Sequence, residues 1–83
     1  MEVTPRVKEV RVLDNTHIYL KFADGKEKIY DMRELIEKNQ FYMKLKNKEY
    51  FNQVAPRGTS IEWPDGEDVC PENLYYDSLD FNN

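Results

Sequence analysis

Hydrophobic and polar positions alternate through the first third of the chain, which predicts β-strands there. Residues 16–22 alternate most cleanly, with one face formed by Ile18, Leu20 and Phe22 and the other by His17, Tyr19 and Lys21. Asp24-Gly25 follows as the strongest hairpin signal in the chain, because Asp and Gly are favoured in the tight turns that join antiparallel strands. Residues 26–30 then return as a further strand.

An earlier strand is predicted over residues 6–13, which are rich in valine. Val7 is out of phase with Val10 and Val12, so a bulge or an irregular start is expected. Asp14-Asn15 supplies the turn into the next strand. The N-terminal third is therefore predicted to be a three-stranded antiparallel meander.

A helix is predicted to begin at Asp31. Its side chain can cap the first turn, and Glu34 stands three residues later, as a capping box requires. Leu35 and Ile36 supply the buried side, and Asn39 is expected to end the helix.

Residues 40–55 show no single period. Asn47 can cap one short turn, and residues 51–55 are interpreted as extended. The side chains expected in the core are Phe41, Leu45, Tyr50, Phe51 and Val54.

The C-terminal third is divided by turn signals. Residues 56–58 are interpreted as a break, and residues 59–63 as a strand that places Ile61 and Trp63 on one face. Residues 64–66 read Pro-Asp-Gly, a turn with proline at its second position.

A short final helix is predicted over residues 71–76, because proline suits the first helical position. The preceding residues 67–70 are expected to be extended, since proline disfavours helix at the residue before it. Residues 1–4 and 77–83 are expected to fray.

These elements define the predicted fold class. The chain is α+β, with the N-terminal meander, one or two short helices, a further C-terminal strand or hairpin, and the short final helix. Its 83 residues are expected to form a single domain, and an aromatic fraction of 13% suits a small packed core.

The lone cysteine, Cys70, cannot form an internal disulfide, which favours a reducing, cytoplasmic location. No segment is long and apolar enough to indicate a signal peptide or a membrane span.

The net charge of −4 is unevenly distributed along the chain. Twelve basic and nine acidic residues in residues 1–57 give +3, and seven acidic residues in residues 58–83 give −7. The two parts either attract one another within the fold or leave an acidic edge for a basic partner.

Candidate chemistry is sparse. His17 is the only histidine and lies mid-strand on the polar face, while Cys70 is interpreted as a small buried residue or a helix cap. One histidine and one cysteine are too few for a zinc site, and the acidic residues near residue 67 lack the spacing of a calcium loop. We therefore expect no enzyme activity, no cofactor and no metal site.

Two segments are candidate contact surfaces. The first has a tryptophan at its centre and carboxylates around it, namely Trp63, Asp65, Asp68 and Glu72. Burial of Trp63 as a core anchor is the competing interpretation. The second could bind nucleic acid through Lys44, Lys46 and Lys48 with Tyr42 and Tyr50. A pI near 4.9 makes direct nucleic-acid binding unfavourable, and alternating lysines also protect strand edges.

In the order and spacing of these segments, the chain resembles the bacterial family known as domain of unknown function 2442. The resemblance runs from Pro5 to Tyr75 and is most specific in residues 61–66, IEWPDG, followed by Asp68, Pro71 and Leu74. It implies a small α+β domain, sometimes encoded beside another small protein in pairs that look like toxin–antitoxin modules. It implies no catalytic residues.

The leading hypothesis is a non-catalytic protein-interaction or regulatory module, such as the antitoxin-like half of a two-gene pair, with a basic co-encoded partner. The alternative is a nucleic-acid-binding accessory domain. Homodimerisation through an exposed edge of the meander is a further possibility.

Overall fold

Mixed strands and short helices make up residues 4–81, the part of the chain that the computed structural model describes, so the α+β prediction is confirmed. The strands are Val7–Val12 (β1), His17–Phe22 (β2), Glu27–Asp31 (β3), Ala55–Arg57 (β4), Ser60–Glu62 (β5) and Leu79–Asp80 (β6). The helices are Arg33–Lys38 (α1), a 3₁₀ helix Gln40–Lys46, Lys48–Phe51 (α2) and Pro71–Tyr76 (α3).

The predicted meander is confirmed. β1, β2 and β3 pair antiparallel in sequence order, and β6 adds to the far edge of β3. The register of β1 shifts between Val7 and Glu9, which is the irregularity expected there. Gly25 has a φ of +92° and donates its N–H to the Phe22 carbonyl at 2.9 Å, so the Asp24-Gly25 turn is also confirmed.

The four-stranded sheet buries one face. Its inner side chains pack against the helices and β5, and those below 9% exposure include Val7, Ile18, Leu20, Phe22 and Tyr30. A second sheet, formed by β4 and β5, lies beside β1, where the Val7 N–H donates to the Thr59 carbonyl at 3.2 Å. We refer to the opposite side of the four-stranded sheet as the outer face.

The capping box predicted at Asp31 is wrong. Asp31 is the last residue of β3, where it pairs with His17, so the helix begins two residues later and Met32 occupies the N-cap position. The Asp31 carboxylate still accepts the Arg33 N–H at 2.9 Å. That donor is two residues away, whereas the capping residue of a capping box accepts the N–H three residues away. The helix ends at Asn39, as predicted.

The ambiguous middle segment is helical. Asn47 caps α2, as predicted, by accepting the N–H groups of Glu49 and Tyr50 at 2.9 and 3.2 Å. Phe51 lies in this helix, so the extended conformation predicted for residues 51–55 is wrong until β4 begins at Ala55.

The core prediction for this segment holds for Leu45 and Phe51, which are buried, and Tyr50 and Val54 pack against the core. It is wrong for Phe41, which is 54% exposed.

The predicted break at residues 56–58 and the predicted final helix differ in outcome. The break predicted at residues 56–58 is wrong for Pro56 and Arg57, which lie in β4, and only Gly58 turns the chain, with a φ of +59°. The final helix has the predicted bounds.

The tail expected to fray contains β6. The Phe81 N–H donates to the Glu27 carbonyl at 2.9 Å. The Nζ atom of the buried Lys28 lies 3.2 Å from Oδ1 of Asp80. Of the other residues expected to fray, 1–3 and 82–83 lie outside the described residues.

Trp63 is the largest fully buried side chain of the described residues. Its ring stacks on Phe51 with centroids 5.8 Å apart, and its indole N–H donates to the Phe51 carbonyl at 2.9 Å. The indole therefore joins the end of α2 to the chain that follows β5.

We expect Trp63→Phe to lower the free energy of unfolding by about 1–3 kcal/mol, because it empties part of the site and removes the donor that the Phe51 carbonyl uses. Urea denaturation followed by circular dichroism measures the change. Phe41→Leu, at an exposed aromatic, is the control and should alter stability by less than about 0.5 kcal/mol. Equal stability losses for the two variants would contradict the anchoring role.

Candidate functional site

The structure corrects the prediction that Trp63 is the centre of a contact surface. The side chain is 1% exposed, so no partner can reach it without unfolding the region. The competing interpretation, a core anchor within a rigid corner, is confirmed.

The corner itself is a β-turn held by two backbone hydrogen bonds. The Gly66 N–H donates to the Trp63 carbonyl at 2.9 Å, and the Trp63 N–H donates to the Glu67 carbonyl at 2.8 Å. Gly66 adopts a φ of +100°, which a residue with a Cβ rarely tolerates. This geometry places Asp65 at the exposed tip and directs Glu67 inward, where it is 5% exposed.

Tyr50 connects this corner to α2. Its hydroxyl donates to the Glu67 carboxylate and accepts the Asp65 N–H at 2.9 Å. Desolvation of the phenol and its hydrogen bond to Glu67 raise the pKa of Tyr50 above 10.0. A buried carboxylate needs such a donor, so the Tyr50 hydroxyl is committed to the fold.

The two surfaces predicted as rivals meet in the structure. Lys44 Nζ lies 2.6 Å from Asp65 Oδ2, and this hydrogen bond raises the pKa of Lys44. The Tyr42 hydroxyl donates to the Asp68 carbonyl at 2.7 Å. One basic residue and both tyrosines of the proposed nucleic-acid site therefore bind the acidic corner of their own chain.

Other ion pairs also join the basic and acidic parts of the chain. Glu62 lies 3.4 Å from Arg57, and Asp80 pairs with Lys28. Internal pairing thus accounts for part of the charge asymmetry.

Among residues 4–81, Asp68 and Glu72 form no ion pair with a basic side chain. Both are exposed, and Glu72 accepts a weak hydrogen bond from the Cys70 thiol at 3.4 Å. Of the predicted acidic surface, these two carboxylates remain available.

Lys46 and Lys48 are the other unpaired members of the predicted sites within the described residues. Lys46 borders two adjacent open grooves, of about 570 and 410 Å³. The larger is lined by Met43, Lys44, Lys46, Asn47 and Tyr50. The smaller includes Arg33, Glu37 and Lys48. The lysine and arginine side chains and the exposed Met43 make this a mixed apolar and cationic surface.

The outer face of the four-stranded sheet carries a surface that sequence reasoning missed. Leu13, Leu79 and Phe81 are 48%, 76% and 43% exposed. Phe81 packs edge-on against Tyr19 with ring centroids 5.3 Å apart, and Leu79 pairs with Ile29. The alternation Leu79-Asp80-Phe81 signals a strand, but three residues are too few to outweigh the expectation that residues 77–83 fray.

The charged side chains on this face are largely satisfied within it. Glu9 and Arg11 are 2.7 Å apart, and the Tyr19 hydroxyl donates to Glu27 at 2.9 Å. The apolar side chains are therefore framed by polar groups, several of which already have partners within the chain.

His17 and Cys70 lie on different elements: His17 begins β2, whereas Cys70 occupies the N-cap position of α3 and is exposed, so the prediction of a buried cysteine is wrong. His17 Nδ1 lies 3.0 Å from Asp14 and its Nε2 lies 3.6 Å from Asp31. Hydrogen bonds from the backbone N–H of Thr16 and from His17 lower the pKa of Asp14 to about 2. This cluster secures the turn between β1 and β2.

Within residues 4–81, no group of three or more His, Cys, Asp or Glu side chains is placed to hold a metal ion. No helix in that range is long and apolar enough to cross a membrane.

A sequence model of a known protein family matches most of the chain. The sequence model of the family described as "Protein of unknown function (DUF2442)" matches residues 7–79. The chain belongs to the DUF2442 family. The DUF2442 match includes β1 at one end and the first residue of β6 at the other, so the corner, Tyr50 and most of the outer face lie within it.

No curated protein and no solved structure matches the chain. The DUF2442 description states no function, so function must be inferred from the surfaces of the fold.

We expect Tyr50→Phe to lower the free energy of unfolding by about 1–3 kcal/mol, because the Glu67 carboxylate then stays buried without its hydroxyl donor. Chemical denaturation of the purified protein measures this loss. The control is Tyr76→Phe at a tyrosine that is 61% exposed, where little change is expected. Wild-type stability in Tyr50→Phe would show that the hydroxyl does not stabilise the corner.

Proposed function

We propose that this chain is a non-catalytic protein-interaction module and that the outer face of its sheet is the principal contact surface. The observation that supports this most is the group of exposed apolar side chains there, Leu13, Leu79 and Phe81 beside Tyr19. The largest exposed apolar patch of a soluble protein is often functional, and aromatic residues are enriched at protein interfaces.

The arrangement of potentially reactive groups supports a binding role over a catalytic one. His17 is engaged by two carboxylates at the β1–β2 turn, and the buried Glu67 is engaged by Tyr50. Catalysis requires a nucleophile or base aimed at open space next to a group that orients it. These side chains are instead directed at one another.

We further propose that the module is the antitoxin-like, regulatory half of a bacterial two-gene pair and acts in the cytoplasm. Its partner would be a small basic protein bound through Asp68 and Glu72, two exposed carboxylates that have no basic partner among residues 4–81. Opposite charge speeds the encounter and selects the partner more than it adds affinity. The exposed Phe41, packed on Tyr42 with centroids 5.0 Å apart, supplies an apolar contact near Asp68.

Site-specific photo-crosslinking in the host cell tests both surfaces. A photoreactive amino acid at position 79 should give a protein adduct of defined mass, and one at position 72 should give an adduct with a small basic protein. Position 52 is the matched control, because Asn52 is exposed but belongs to neither surface. Adducts at position 79 no stronger than those at position 52 would refute the main proposal. A lack of adducts at position 72 would refute only the basic partner.

Nucleic-acid binding is the alternative function, supported by the paired grooves around Lys46. Lys44 is held by Asp65 and Tyr50 by Glu67, so only Lys46 and Lys48 of the predicted set remain to contact phosphates.

This alternative predicts binding to a single-stranded oligonucleotide at low salt, with an affinity that falls steeply as salt is added. Replacing both Lys46 and Lys48 by alanine should reduce the slope of log affinity against log salt by about 1.4, since each phosphate contact on a single strand contributes about 0.7. Fluorescence anisotropy measures this slope. Alanine at Lys8 and Lys38 is the matched double control. An unchanged slope, or no binding by wild-type protein, removes the alternative.

A further inference from the structure

The outward charged side chains of the two central strands have opposite signs, basic on β2 and acidic on β3. On β2 they are His17, Tyr19 and Lys21, and on β3 they are Asp31, Ile29 and Glu27. Within the chain they lie directly opposite one another in the register His17 with Asp31, Tyr19 with Ile29 and Lys21 with Glu27. Each strand therefore has an apolar centre, flanked by basic groups on β2 and by acidic groups on β3.

This layout is self-complementary under one symmetry operation. A two-fold axis in the interface plane, parallel to the strands and between β2 and β3, stacks β2 of one copy over β3 of the other. Lys21 then faces Glu27 of the second copy, and Tyr19 faces Ile29. Both contacts occur twice, as an isologous interface requires.

We propose that the outer face binds a second copy of this chain in that two-fold arrangement. The inference rests on the proposed function only in taking this face as the contact surface. Leu79 and Phe81 on β6 then lie over the β1 strand of the other copy, where Arg11 and Glu9 offer their aliphatic stems.

Charge favours a second copy over a strongly charged partner. Basic and acidic side chains alternate on this face, and the closest of them, Glu9 and Arg11, are already paired within the chain. Such a face neither attracts a highly basic protein nor repels its own copy. Asp68, which precedes α3, and Glu72, in the first turn of α3, lie outside this face.

The size of the face sets the strength of the dimer. Strands about 4.8 Å apart and side-chain rows about 6.8 Å apart give a four-stranded face on the order of 350 Å², and stacked sheets lie about 10 Å apart. Two such faces bury an area at the low end of specific interfaces, below about 1,200 Å². The dimer is therefore weak and reversible, and its population rises with protein concentration.

Sedimentation velocity over a concentration series tests this inference. The wild-type mass should rise from 10.0 kDa toward twice that value as concentration increases. Lys21→Glu and Glu27→Lys should each weaken self-association about tenfold or more, because each dimer then contains two like-charge contacts. Lys38→Glu and Glu34→Lys, at exposed positions of α1, are the matched controls. They change the net charge by the same amounts away from the face and should leave dimerisation intact.

An equimolar mixture of Lys21→Glu and Glu27→Lys chains provides the decisive measurement. In a mixed dimer both intermolecular contacts join glutamate to lysine, so the mixture should associate again to near the wild-type extent. Mixing cannot repair the like-charge neighbours inside each variant chain, so recovery isolates the contact between copies. Circular dichroism of each variant checks that it is folded.

Two results would overturn the inference: a wild-type chain that stays monomeric at about 1 mM, or a mixture that fails to recover association. Crosslinking at position 79 separates this failure from failure of the proposed function. An adduct with a different protein keeps the interaction role and removes the homodimer, whereas an adduct of two copies supports both.

Discussion

The burial of Trp63 against Phe51 is the contact on which the rest of the structure depends. It fixes the corner after β5 against the end of α2, two segments twelve residues apart in sequence. Once the indole is in place, the turn can direct Glu67 inward and Asp65 outward, and Tyr50 lies where its hydroxyl reaches both. A small core has few such long-range contacts, so each one determines much of the arrangement around it.

The same contact explains why two opposing interpretations of the sequence describe one surface. The lysine-rich segment and the acidic corner are brought together by the chain between Phe51 and Trp63, and Lys44 then pairs with Asp65. Exposed ion pairs add little stability, about 0–1 kcal/mol each, so this pair follows from the fold more than it creates it. Its larger effect is on function, because it removes one cation and one anion from the groups that can meet a partner.

What could be predicted from the sequence was encoded locally. The Asp24-Gly25 turn, the Asn47 cap and the helix opened by Pro71 depend on interactions within a few residues, and the structure contains all of them. The helix begins at Arg33 and not at Asp31, because pairing of β3 with β2 extends through Asp31. The pairing partner of a strand has no local signal, and the same applies to the pairing of β6 with β3.

The ion pair between Lys28 and Asp80 in the C-terminal tail is a contact that local sequence patterns do not predict. Lys28 lies on the inner side of β3 and is buried, and a buried ammonium group is costly unless a carboxylate accompanies it. Asp80 supplies that carboxylate from the strand that pairs beside it. The position that places Asp80 on the inner side necessarily places Leu79 and Phe81 on the outer side, because side chains alternate along a strand. Neutralising one buried lysine thus exposes two apolar side chains on the outer face, which is the surface proposed above to contact a partner.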